Sequence, residues 1–274
     1  PALADTALRA TKLAGGRKAD LPLTLRAAAK AVRGGRETAP VAQTEAPFDP
    51  SLTHADIDLN TILDRLTARD APRAVSLCLS GPPGTGKSAY ARHLAEAMGL
   101  PVVQKRASDL MSMYVGQTEA RIARAFAQAR AEGAFLIFDE ADSLLSTREG
   151  AQRSWEVSQV NEMLTWMESH PQPFACTTNM ADRLDPAALR RFTFRATFLP
   201  LTPLQRIAAF RQFLGHEPPK ELQTLDLLTP GDFAVVAKRA RLLDIRKPAD
   251  LLAELVREQA AKPGARTPVG FRNA

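Results

Sequence analysis

Gly81-Pro82-Pro83-Gly84-Thr85-Gly86-Lys87-Ser88 has the G-x-x-x-x-G-K-[ST] spacing of a phosphate-cradling loop. Glycines let the backbone curl until its N–H groups converge on a polyphosphate. In such a loop Lys87 reaches the β- and γ-phosphates, and the Ser88 hydroxyl is placed to ligate Mg²⁺. A second set of chemistry-bearing residues closes the run Phe135-Leu136-Ile137-Phe138-Asp139-Glu140. An apolar run that ends in two acids reads as a buried parallel strand, whose carboxyl end is where open α/β sheets bind ligands. There Asp139 would hold the metal shell and Glu140 would polarise an attacking water. A surface acidic pair is the alternative. A third run, Phe174-Ala175-Cys176-Thr177-Thr178, ends at Asn179, whose amide can orient the water or meet the γ-phosphate; asparagine is also a common turn former. Arg190 and Arg191 follow in Leu184-Asp185-Pro186-Ala187-Ala188-Leu189-Arg190-Arg191-Phe192. They read either as a solvated charged pair or as groups offered to a neighbouring subunit's nucleotide.

The flanks of these motifs supply the elements that position them. Val75-Ser76-Leu77-Cys78-Leu79 reads as a buried strand before the loop. Ala91, Leu94, Ala95 and Met98 fall at helical spacing after it, with Gly99 as a stop. Strand, loop and helix in that order aim the helix N-terminus at an anion. Five strands are expected, at about 75–79, 101–105, 135–139, 174–178 and 195–199, with helices between them as a parallel doubly wound sheet requires. Three helical patterns follow Thr202-Pro203, near 203–214, 231–242 and 248–260. The expected organisation is a basic helical segment and linker over 1–47, an α/β domain over 48–200 and a small helical lid over 201–274.

The order and spacing of G-P-P-G-T-G-K-S, Y-V-G-Q-T-E-A-R-I, F-L-I-F-D-E-A-D-S-L-L, T-T-N and L-D-P-A-A-L-R-R-F-T-F-R resemble the AAA+ ATPase module, most of all its spastin and katanin branch. The resemblance covers roughly residues 55 to 260. It implies a P-loop fold with a five-stranded parallel sheet and a helical lid, an ATP hydrolase, and ATP with Mg²⁺ at the site. Pro83, Gly84, Thr85, Gly86, Lys87, Ser88 and Ala89 would bind the nucleotide together with Asp139, and Ser88 and Asp139 would serve the metal. Lys87, Glu140 and Asn179 would be catalytic, and Arg190 and Arg191 would be fingers reaching the next subunit. It implies a homo-oligomer, a hexamer in relatives, whose pore loop Met113, Tyr114, Val115 grips an extended polypeptide; an aromatic flanked by apolar residues supplies sequence-tolerant contact, and the other reading of Tyr114 is a core residue at a loop-helix junction. Met113 stands where relatives have Lys, and Gln117 where they have Glu. The first and fourth strands are neighbours in that fold, which would set Cys78 beside Cys176. The segment Ala55-Asp56-Ile57-Asp58 would lie where relatives contact adenine, without the Gly-Gly that often follows. Gly231-Asp232-Phe233 stands where relatives have Gly-Ala-Asp-Leu, with no second-sensor arginine beside it; Lys238, Arg239 and Arg241 read either as contributors to such a sensor or, as expected here, as a solvated helix face.

Trp155 reads either as part of a second pore loop or as packing against Gln159 and Met163. Met163, Leu164, Trp166 and Met167 read as core. The chain has 274 residues and a net charge of +6, enough for one large and one small domain and mildly basic. The basic 1–47 segment leaves open an acidic or nucleic-acid partner, a solvated linker helix, or the end of a further domain; a nucleic-acid loader and a slow nucleotide-dependent switch are the other function classes in view. Two cysteines suit buried thiols rather than a disulfide framework, and the four histidines lack ligand spacing. No apolar run approaches membrane-spanning length and no signal pattern opens the chain, so a soluble cytoplasmic protein is expected. Because it begins at Pro1, it is read as a fragment or processed product.

Overall fold

In a computed structural model, residues 48–114, 116–147 and 154–264 are described, with backbone alone at 154–156. The 1–47 segment, Val115 and the side chain of Trp155 lie outside the described residues. Five strands, β1 (Ser76–Ser80), β2 (Val102–Arg106), β3 (Phe135–Asp139), β4 (Phe174–Thr178) and β5 (Phe194–Thr197), form one parallel sheet in the order β2-β3-β4-β1-β5. The expected ranges coincide with β3 and β4 and differ from the other three by one or two residues at the ends, and β5 stops at Thr197. There the chain turns to pair Phe198 with Ala55, and the Asp56 carboxylate accepts the Thr197 N–H.

The three central strands, β1, β3 and β4, alternate their apolar residues between two cores, the period of two that a doubly covered sheet demands. Leu77, Leu79, Ile137 and Ala175 face α1 (Leu59–Thr67) and α2 (Lys87–Ala97). Cys78, Leu136, Phe138 and Cys176 face α3 (Gln117–Glu132) and α4 (Ser154–Ser169). Met163, Leu164 and Met167 are buried in this second core, and Trp166 stacks on Phe126 at 5.8 Å. Cys78 and Cys176 are register partners on β1 and β4, both free and buried. Burial pushes the Cys78 thiol up to about 12 and raises Cys176 as well, so both are inert at neutral pH.

A third core is built by α5 (Pro203–Leu214), α6 (Pro230–Leu243) and α7 (Pro248–Ala260), close to the ranges read from periodicity. Each opens on proline, where a missing N–H costs nothing. Thr202 with Gln205 and Thr229 with Asp232 close capping boxes at the starts of α5 and α6. The Lys238–Arg241 face is not simply solvated: Arg239 bridges Glu254 and Glu258 of α7.

Candidate functional site

The phosphate loop runs from β1 into α2, and Gly86, at φ 95, is the cap from which the helix begins. Lys87 is buried, and its ammonium donates to Gly81 O at 2.7 Å, Pro82 O at 2.8 Å and Asn179 Oδ1 at 2.8 Å. Burial lowers its pKa to about 8, while the Asp139 and Asp142 charges push it back up. Thr85, also buried, donates to Pro82 O at 2.8 Å and braces the loop. Pro83, Gly84 and Ala89 line the same turn with at least part of their surface open to solvent.

Asp139 ends β3 facing the first turn of α2. Its Oδ1 accepts the Ser88 hydroxyl at 2.6 Å and the Thr177 hydroxyl at 2.5 Å, and its Oδ2 accepts the Gln104 amide at 3.2 Å. Glu140 is exposed and left-handed, at φ 57, with its N–H on Thr177 Oγ1 at 3.2 Å. Next on β4, the Thr178 hydroxyl donates to Asp142 and accepts the Met180 N–H. Five residues singled out by motif, Lys87, Ser88, Asp139, Glu140 and Asn179, thus meet at the carboxyl ends of β1, β3 and β4. Sequence reasoning missed Gln104 and Thr177. Buried polar groups need partners, so two threonines closing an otherwise apolar strand were the available signal.

The donor set suits Mg²⁺ held with substrate phosphates. That ion keeps several waters and needs few protein ligands, and a hydroxyl beside a carboxylate meets the need. No group of three or more His, Cys, Asp or Glu side chains able to hold a metal by itself occurs among the described residues.

The backbone of α6 reaches this loop. The Gly231 N–H donates to Gly84 O at 2.9 Å, and a Cβ on Gly231 would stand 2.7 Å from Gly84 Cα. Asp232 beside it is held by Thr229 and by Lys262 at 2.5 Å.

The two arginines are not equivalent. Arg191 pairs with Glu168 at 2.6 Å and donates to Ala187 O at 2.9 Å. Arg190 is exposed; its backbone N–H donates to Pro186 O at 3.2 Å, while its guanidinium makes no hydrogen bond or ion pair among the described residues. From α3, Arg121 donates to Met111 O at 2.7 Å, and the Ser112 hydroxyl donates to Gln117 at the start of the helix at 2.8 Å. This fixes the base of a loop whose tip presents Met113, 95% exposed, and Tyr114, 67% exposed. Tyr114 is therefore not a core residue. Asp58 caps α1 through Asn60 N–H and the Thr61 hydroxyl, and Ala55, Ile57 and Asp58 line a cavity together with Phe48, Tyr90 and His93.

Residues 77–199 match the model of the ATPase family associated with various cellular activities (AAA). The chain is similar to the mouse nuclear valosin-containing protein-like protein, 31% identical over 62% of this chain and 22% of that one. It is similar to the ATP-dependent zinc metalloprotease FtsH 3 of Sphaerobacter thermophilus, 33% identical over 72% of this chain and 42% of the relative. It is also similar to the human peroxisomal ATPase PEX6, 39% identical over 43% of this chain and 13% of the relative. The chain thus carries an AAA ATPase domain, and it spans less than half the length of these relatives.

Proposed function

We propose that this chain binds ATP with Mg²⁺ at the phosphate loop and hydrolyses it as a subunit of a homo-oligomeric ring, a hexamer, that threads or remodels polypeptide. The observation that carries the reading is the meeting of Lys87, Ser88, Asp139, Glu140 and Asn179 at one edge of the sheet. The Lys87 ammonium, now satisfied by two loop carbonyls and Asn179, has the reach and charge to turn to the β- and γ-phosphates. Ser88 and Asp139 hold the metal position, where Mg²⁺ neutralises phosphate charge. Glu140 orients the attacking water, and Asn179 keeps that water and the γ-phosphate in line. Arg190, free and exposed, is the better finger toward a neighbouring subunit. Arg191 would have to leave Glu168 to act as a second one.

Residues 48–200 act as the large domain and 201–274 as a lid that shares the nucleotide crevice, so a change at the phosphates is felt at the Gly84–Gly231 contact. Y-V-G-Q-T-E-A-R-I and L-D-P-A-A-L-R-R-F support a place beside the spastin and katanin branch. The relatives named ATP-dependent protease and peroxisomal ATPase support work on protein substrates. Met113 and Tyr114 are the groups that would grip the chain; without the lysine and glutamate of relatives, the loop favours apolar stretches. The test is ATP turnover per subunit against protein concentration, with particle mass measured in ATP. Turnover that climbs as a ring assembles supports the proposal. A flat rate from a monomer rejects the ring, and stimulation by DNA or RNA at low salt would favour a nucleic-acid motor instead.

A further inference from the structure

Thr177 has a use that its place in a buried strand does not disclose. It is 2% exposed, on the face of β4 that carries Ala175, one step beyond the last registered pair with β3, Phe138 with Cys176. A threonine hydroxyl has one proton to give and lone pairs to accept with. Here both capacities are used. The Glu140 N–H donates to Oγ1 at 3.2 Å, and the hydroxyl donates to Asp139 Oδ1 at 2.5 Å. A carboxylate only accepts, so the relay runs in one direction: Glu140 backbone, Thr177 hydroxyl, Asp139 carboxylate. Glu140 needs such an anchor, because φ 57 is a conformation that a glutamate holds only at a cost. Asp139 also accepts hydrogen bonds from Ser88 and Gln104, and among the described residues neither of these side chains hydrogen-bonds Glu140.

We propose that Thr177 is a positioning residue for ATP hydrolysis. One hydroxyl sets the carboxylate at the metal position and the backbone of the residue that holds the water, so the two keep a fixed relation to each other. This rests on the nucleotide-site reading above. The competing account makes Thr177 a β-branched filler of a buried strand, and it predicts an effect on stability alone.

Valine keeps the shape of threonine and removes the hydroxyl; serine keeps the hydroxyl and removes a methyl. The full chain is compared as wild type, Thr177→Val, Thr177→Ala and Thr177→Ser. Each is assayed for binding of a fluorescent ADP analogue with and without Mg²⁺, for ATP turnover and for melting temperature. Wild type should bind more tightly with Mg²⁺. The valine and alanine variants should keep the Mg²⁺-free affinity within about two-fold, need about ten-fold more Mg²⁺ for half of the tightening, and turn over ATP about ten- to a hundred-fold more slowly. Serine should restore both readouts to within about three-fold. Alanine carries the test should valine not fold. Wild-type Mg²⁺ dependence and turnover in the folded variants would overturn the proposal. So would failure of serine to rescue, or failure of both valine and alanine to fold, which would make the residue structural. A wild type whose binding ignores Mg²⁺ would sink the nucleotide-site reading itself, and this proposal with it.

Discussion

Replacing Gly231 by alanine strikes the contact between the phosphate loop and α6. Gly231 follows Pro230 in the first turn of α6, and its N–H donates to Gly84 O at 2.9 Å. An added Cβ would stand 2.7 Å from Gly84 Cα and 3.2 Å from Gly84 O. Carbon atoms pack at about 3.5 Å or more, so the helix has to withdraw by roughly 0.8 Å. That stretches the hydrogen bond past useful length. The obstacle is backbone, held at φ +77, and cannot rotate aside like a side chain. Overpacking of this kind costs about 1–3 kcal/mol and the lost bond about 1 kcal/mol. Alanine returns at most about 1 kcal/mol as a better helix former. The net is about 1–3 kcal/mol against the seam, so the melting temperature falls by a few degrees, and nucleotide binding that requires the closed seam weakens by up to roughly 150-fold. Fluorescent-ADP titration and thermal melts of wild type and Gly231→Ala read this directly. Val235→Ala, on an exposed position of the same helix, is the control. Wild-type affinity and melting temperature in Gly231→Ala would refute the reasoning, because loop and helix would then not press together.

Lys87→Met should abolish nucleotide binding, since the ammonium is the charge the loop aims at the phosphates; calorimetric titration with ATP checks it, and retained micromolar binding would contradict it. Arg190→Ala should slow turnover of the assembled protein by at least about a hundred-fold without changing its melting temperature. Arg191→Ala should lower stability by about 0.2–1 kcal/mol through the half-exposed Glu168 pair, read by urea denaturation. His170 is buried among Phe126 and Phe174, and burial lowers its pKa from 6.5 to about 4, with the Arg130 charge adding to the effect. The unfolded chain takes up this proton first, so stability is full above about pH 6.5 and falls by up to ~3 kcal/mol as pH drops toward 4. Urea melts from pH 7 to 4.5 should show that slope, and His170→Phe should flatten it.

Much of the site was legible because its chemistry is local. The loop from Gly81 to Ser88, the acids at 139 and 140 and the amide at 179 each sit where a short pattern changes from apolar to polar at a strand end. The β1–β4 adjacency, with Cys78 opposite Cys176, came through the family resemblance. What remained hidden depends on chain segments far apart in sequence. Nothing near Arg191 announces Glu168, 23 residues earlier, as its partner. Gly84 and Gly231 carry no motif that says they touch. Thr177 reads as an ordinary β-former until Asp139 and Glu140 are placed beside it. Arg239 reads as a solvated face until α7 brings Glu254 and Glu258 against it.

ATP binding and ATP turnover of Glu140→Gln beside wild type test the central claim most directly. The substitution keeps size and the φ 57 backbone anchor and removes only the carboxylate's charge and basicity. Binding should stay within a few-fold of wild type while turnover falls by about 10²–10⁴. Turnover at the wild-type rate, or loss of binding together with turnover, would contradict the role given to Glu140 and the hydrolytic site built around it.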